Sequence, residues 1–276
     1  MGEEGGKRGG ERVTLTGRMQ SDWDIVDLGR MAYAPALERQ RQHNLAVSRG
    51  EAGPTLLLVE HDPVITISQR RGAREHLLAS AERLAELGID VQETDRGGDI
   101  TYHGPGQLVA YPILRLSDYG LNLGRYMRTL ESAVVAAVGR FGVRGRTEPG
   151  ATGVWVPTDH ASADPAEPVH APGPAQLEES GDLQHVAKLC AMGVRVRKNT
   201  TLHGLALNVT TDLAHFATID PCGLGGRPVT SLRRLRGGEC PSMAEVKSAL
   251  AGALIEQLGR MGGVGAGGAV PGAGSA

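Results

Sequence analysis

Arg96-Gly97-Gly98-Asp99-Ile100-Thr101-Tyr102-His103-Gly104-Pro105-Gly106-Gln107 sets four glycines and one proline between two segments that read as strands. Glycine lets a backbone turn tightly or approach a ligand without a Cβ in the way. A buried strand has no use for so many, so the stretch reads as a bend. It is either an ordinary tight connection or the wall of a binding site. Arg96 and His103 add polar donors, and residues 107–116 beyond it are apolar enough for a central strand.

Working outward, strand patterns cover 55–60, 64–68, 89–93, 107–116, 153–156, 188–197 and 202–209. Helix patterns cover 34–48, with Leu37, Leu45 and Ala46 on the apolar face, and 75–87, closed by Gly88. Two more follow the N-cap candidates Asn122 and Ser242, reaching 139–141 and 258. The elements mix without strict βαβ alternation, which predicts an α+β fold around a mixed, largely antiparallel sheet flanked by helices. Residues 1–17 and 259–276 read as disordered ends around a single domain over 18–258. Within it, 157–187 is rich in proline and acids, has no Lys or Arg before its end, and reads as a flexible insertion.

Composition narrows the function classes. A net charge of −2 argues against holding nucleic acid by bulk positive charge. No stretch approaches the ~18 consecutive apolar residues of a membrane span. Three cysteines without CxxC spacing argue against a disulfide framework and a zinc site. With no apolar segment at the polar start, a reducing cytoplasm is the expected compartment.

Three residues are candidates for chemistry. By strand parity Lys188 shares an apolar face with Cys190, Met192, Val194 and Val196. There its amine is either desolvated and made basic near neutral pH, or it snorkels to water. The same parity groups His203 with Leu205, Leu207 and Val209, half-buried at the sheet end and structural rather than catalytic. Cys222 sits in the glycine-rich run Pro221-Cys222-Gly223, which leaves sulfur and backbone N–H groups accessible, as a nucleophilic thiol requires. Basic residues cluster at Lys188, Arg195, Arg197 and Lys198, and again at Arg227, Arg233, Arg234 and Arg236, which suits docking of an acidic partner.

Together these motifs resemble the octanoyltransferase family, relatives of the lipoate and biotin ligases. The matches are Arg96-Gly97-Gly98 through Gln107 with Tyr111; Gly153-Val154-Trp155; Lys188 with Met192-Gly193-Val194-Arg195; His203 to Asn208; and Pro221-Cys222-Gly223. Departures are Ser68, where a glycine is expected, and the long insertion. The resemblance implies a biotin/lipoate protein ligase-like catalytic domain and a Cys222–Lys188 dyad without a cofactor. It further implies that Arg96, Gly97, Gly98, Asp99, Ile100, Thr101, Tyr102 and His103 line an acyl tunnel. Ala191, Met192, Gly193, Gly204, Leu205 and Ala206 complete it, with His203 and Gly223 in support. The implied donor is octanoyl-acyl carrier protein. The implied acceptors are lipoyl domains of 2-oxoacid dehydrogenase E2 subunits and the glycine cleavage H protein. Two alternatives stay open: an ATP-dependent lipoate or biotin ligase, and a non-catalytic binder of the same partners.

Overall fold

The structure is a computed structural model that describes residues 11–12, 23–157, 186–220 and 228–262. Cys222, Gly223, Arg227, the interior of the insertion and most of both expected disordered ends lie outside the described residues. Two pieces of those ends are regular: Glu11–Arg12 form strand β1, and the last helix continues to Gly262.

The larger sheet has eight strands. In spatial order they are β1, β2 (Asp24–Met31), β3 (Thr55–His61), β7 (Gln107–Ile113), β11 (Thr200–Asn208), β10 (Val186–Arg197), β9 (Ala151–Pro157) and β8 (Arg146–Glu148). The smaller sheet places β4 (Val64–Ser68) between β5 (Asp90–Thr94) and β6 (Ile100–His103). Pairing is antiparallel except β2 with β3 and β4 with β5. β10 and β11 form a hairpin whose two-residue turn, Lys198-Asn199, has both φ angles positive (48° and 61°), matching the twist of the strands.

Side-chain alternation sends the two faces of the large sheet to different cores. Leu56, Leu58, Leu108, Ala110, Leu205 and Leu207 pack against helices α3 (Leu123–Gly139) and α5 (Met243–Gly262). The intervening Leu57, Val59, Val109, Tyr111 and Ala206 belong to the opposite face, under α1 (Tyr33–Arg49). The small sheet has its own core, built on Ile65, Ile67, Ile100 and Tyr102. Asn122 caps α3, its side chain accepting from Arg125 N at 2.9 Å, and Ser242 and Glu245 form a reciprocal capping box for α5.

Some expectations need correction. Leu45 is 47% exposed; α1 instead buries Tyr33, Ala36, Leu37, Gln40, Asn44 and Val47, because the polar Gln40 and Asn44 find partners inside. The 75–87 helix is two pieces, a 3₁₀ turn at Ala73–His76 and α2 (Ala81–Glu86), with Ser80 capping the second. Strands β1, β2, β6 and β8 and the short helix α4 (Leu232–Arg236) lie where the sequence suggested none.

Candidate active site

The two sheets meet along the opening glycine stretch. Gly97 N donates to Val194 O at 2.9 Å, tying the loop before β6 to β10. A Cβ on Gly193 would stand 2.4 Å from Gly97 O, so this approach requires glycine there. Arg96 is fixed by Thr66: Nη2 donates to its carbonyl at 2.7 Å and to its hydroxyl at 3.0 Å. Ser68, the departure from the family pattern, uses its hydroxyl to hold Gly98 O at 2.9 Å and so braces the same turn.

Between the sheets lies a cavity of about 550 Å³. Arg96, Gly97, Gly98, Asp99, Ile100, Thr101 and His103 line one side of it. Lys188, Ala191, Met192, Gly193, His203, Gly204, Leu205 and Ala206 line the other. Tyr102 is the exception. Alternation along β6 turns it into the small-sheet core, where it packs on Phe216 and its hydroxyl bonds His215 Nδ1 at 2.8 Å. Burial pushes that hydroxyl up to about 12.

One stretch of wall, formed by Tyr33, His103, Gln107 and Tyr111 with His61 behind them, is polar yet uncharged. His61 Nδ1 donates to Met31 O at 3.0 Å, which leaves Nε2 to accept from the Tyr111 hydroxyl at 2.7 Å. Gln107 Nε2 donates to Tyr102 O (3.2 Å) and Asn208 Oδ1 (2.9 Å), so its Oε1 accepts from His103 Nδ1 at 2.7 Å. His103 therefore keeps Nε2 as an acceptor, and Tyr33 stacks on its ring at 6.3 Å. Burial lowers His61 to about 4. Burial, and then the neighbouring His61, lowers His103 to about 3. Both rings are neutral at pH 7.

The facing wall carries charge, and both of its key side chains reach it by breaking strand parity. The β9–β10 register shifts between Lys188 and Cys190, so Leu189 and Cys190 both enter the helix-side core while Lys188 lines the cavity. The expectation that it shares the face of Cys190 is thereby corrected, while Met192 and Val194 further along β10 do reach the same cavity. Lys188 Nζ stands 4.6 Å from the centroid of the Trp155 ring, its register partner on β9. His203 has φ 59°, the left-handed region, and parts from Leu205 and Leu207 to bond Asp95 Oδ1 through Nε2 at 2.9 Å. It is 2% exposed, fully buried rather than half-buried. Burial lowers its pKa and Asp95 opposes this. Burial raises Asp95, but His203 and Arg195, the latter at 3.1 Å, together hold it below its usual value.

The described residues flanking Cys222 are anchored on both sides. Ile219 bridges to Leu77 and Asp220 N donates to His76 O at 2.8 Å. Downstream, Lys188 N donates to Pro228 O (2.8 Å) and Thr230 N to Lys188 O (2.9 Å). Asn208 Nδ2 also donates to Thr230 O at 3.0 Å. Phe216 and Val229 both line the cavity.

Tyr33, His61 and Asp95 had no signal in the sequence. Tyr33 and His61 stand far from His103 in the chain, and Asp95, next to Arg96, carries no pattern of its own; the fold sets the first two beside His103 and the third beside His203. Of the basic clusters, Arg195 is ion-paired to Asp95 and Arg236 to Glu239, while Arg197, Lys198, Arg233 and Arg234 are exposed. Among the described residues no His, Cys, Asp and Glu group is placed to hold a metal, and no helix is long and apolar enough to cross a membrane.

A family model described as the lipoyl protein ligase A/B catalytic domain matches residues 30–255. An octanoyltransferase of Chloroflexus aurantiacus is 43% identical over 235 residues, covering 85% of this chain and 91% of its own. One from Deinococcus radiodurans is 40% identical over 252 residues, covering 90% of this chain and 68% of its own. The chain belongs to the octanoyltransferase family. Family membership makes it an acyltransferase that moves an octanoyl group in protein lipoylation. The fold has solved counterparts. A putative lipoate protein ligase of T. acidophilum with bound lipoic acid superposes with TM-score 0.57 at 21% identity, over 85% of each chain. A lipoate-protein ligase A bound with ATP also gives 0.57, at 20% identity, over 86% of this chain and 84% of that one.

Proposed function

We propose that this octanoyltransferase works through a thioester on Cys222, with acyl carrier protein as donor, a lipoyl-domain lysine as acceptor and Lys188 moving protons. The observation that carries the reading is the grip of Lys188 on residues 228–230. Its own N–H and C=O bond the extended segment that follows the Cys222 stretch, while its side chain lines the cavity. The chain runs only six residues from Cys222 to Pro228. In the first half-reaction Lys188 takes the thiol proton, and the Cys222 thiolate attacks the octanoyl thioester. The carbon–sulfur bond to the carrier breaks, and the carrier thiolate takes the proton from Lys188. In the second, the acceptor amine attacks the acyl-enzyme, Cys222 leaves as thiolate, and Lys188 takes the surplus proton.

Thioester exchange is near balance and amide formation from a thioester is downhill, so the scheme needs no ATP. The cavity of about 550 Å³ falls within the roughly 300–1,000 Å³ of small-molecule sites. Its glycine-lined sides and the apolar Val109, Ile100 and Leu205 suit an aliphatic chain. The exposed Arg197, Lys198, Arg233 and Arg234 suit an acidic carrier. Lipoyl domains of 2-oxoacid dehydrogenase E2 subunits and the glycine cleavage H protein are the proposed acceptors, and the cytoplasm the proposed compartment.

Transfer from octanoyl carrier to a lipoyl domain, assayed with and without ATP, tests the scheme. Wild-type protein should transfer without nucleotide, and Cys222→Ala and Lys188→Ala should each fall by at least about a thousandfold. Strict dependence on ATP, with Cys222→Ala fully active, would establish the ligase alternative.

A further inference from the structure

Trp155 is a fully buried aromatic, and among the described residues Lys188 stands against its ring. Its indole Nε1 donates to Ala151 O at 3.0 Å, which fixes the ring plane, and Lys188 Nζ stands over that plane at 4.6 Å. The Lys188 stem passes Gly153 at contact distance, and β9 can lie this close to β10 only with glycine there: a Cβ would sit 2.4 Å from Cys190 O, and Gly153 itself has φ 119°. Gly153 N is held by the buried Glu131 Oε1 at 3.0 Å, so α3 braces the seat from behind. Among the described residues, the other charged or titratable groups lining the cavity are Arg70, Arg96, Asp99, His103, His203, Tyr33 and Tyr111, while Cys190, on the same strand as Lys188, is buried on the far face. On β8, Arg146 lies opposite Trp155 with its guanidinium paired to Glu148.

We propose that Trp155 is a positioning residue for the transfer reaction, holding Lys188 over its ring as the ammonium and so favouring passage of the thiol proton from sulfur to nitrogen. An aromatic face attracts a cation and is indifferent to a neutral amine. It therefore stabilises the product of that proton transfer, the Cys222 thiolate with the Lys188 ammonium, and offsets the loss of hydration that works against the charged amine. The ammonium is then already aimed to protonate the departing carrier thiolate. This inference rests on Lys188 acting as proposed above.

Fluorination of the ring tests it without removing the side chain, since fluorine withdraws charge from the face and leaves the shape nearly intact. Trp23 and Trp155 are the two tryptophans of the chain, so a Trp23→Phe background isolates Trp155. Trp23 packs on Tyr119, away from the cavity. Mono-, di- and tetrafluorinated tryptophan are incorporated, and kcat/KM is followed against pH. The basic limb, which reports loss of the Lys188 proton, should move stepwise to lower pH, by about one unit at full fluorination. The acidic limb should stay, because the ammonium is present on both sides of that ionisation. Trp155→Leu should displace the basic limb further, with Trp155→Phe between it and the native ring. Limbs that stay fixed across the fluorinated series overturn the proposal, as does a native basic limb in Trp155→Leu. Undiminished transfer in Lys188→Ala would instead overturn the functional reading beneath it.

Discussion

The two walls of the cavity solve the same problem, polar groups out of water, by opposite means. On one, His61 bonds Tyr111 and His103 bonds Gln107 as neutral groups, with Tyr33 stacked on His103, and burial is the largest cause keeping the histidines uncharged. On the other, His203 has Asp95, Asp95 has Arg195, and Lys188 has the face of Trp155. The neutral wall presents a fixed hydrogen-bonding surface that does not change with pH near neutrality. The charged wall can move a proton. A reaction that shelters an aliphatic chain while passing a proton between sulfur and nitrogen needs both, side by side.

The seam joining the walls is where the comparison breaks most readily. Gly193→Val would drive side-chain atoms into Gly97 O, already 2.4 Å from a bare Cβ, and the Gly97–Val194 bond would be lost. Both walls should lose register. We expect at least a hundredfold less transfer and a stability loss of about 2–3 kcal/mol, read from urea unfolding and the transfer assay.

The neutral wall should reveal itself in acid. The folded pKa values of His61 and His103, about 4 and about 3, lie below the ordinary value of 6.5. The unfolded chain therefore binds protons first as pH falls. Stability from each histidine is present above the unfolded value and is lost as pH drops toward the folded one, about 2 kcal/mol per ring between pH 7 and pH 5. Urea unfolding across that range measures the slope, and His61→Gln should flatten it. A wild-type slope near zero would mean these rings are hydrated in the folded protein.

The charged wall should respond least. Asp95 and Arg195 are partly exposed, so Asp95→Asn, which keeps an acceptor for His203, should cost about 1 kcal/mol or less. Its sharper signature is in the titration of His203 by NMR, which should move further below its ordinary value once the opposing carboxylate is gone. An unmoved His203 would separate it from Asp95.

Much of this arrangement was legible from residues alone. Hydrophobic runs placed seven of the strands, N-cap residues placed α3 and α5, and the glycine stretch read as a bend fit to wall a site, though not as the junction of two sheets. Strand parity failed at Lys188 and His203, the two places where the charged wall is made. A register shift and a left-handed φ are settled by partners far along the chain, Trp155 for one and Asp95 and Gln40 for the other. Neither leaves a mark within a local pattern of period two. Tyr33 and His61 were silent for a related reason: each reads as an ordinary residue at the end of an element until the fold sets it beside His103.

The central claim is that the octanoyl group rests on Cys222 between donor and acceptor. Intact-mass spectrometry with peptide mapping, after mixing the protein with octanoyl-acyl carrier protein alone, tests it directly. The account predicts an increment of one octanoyl group on the peptide containing Cys222, discharged when a lipoyl domain is added and absent from Cys222→Ala. Continued transfer with no such increment, or an increment mapping to Cys190, Cys240 or Lys188, would contradict it.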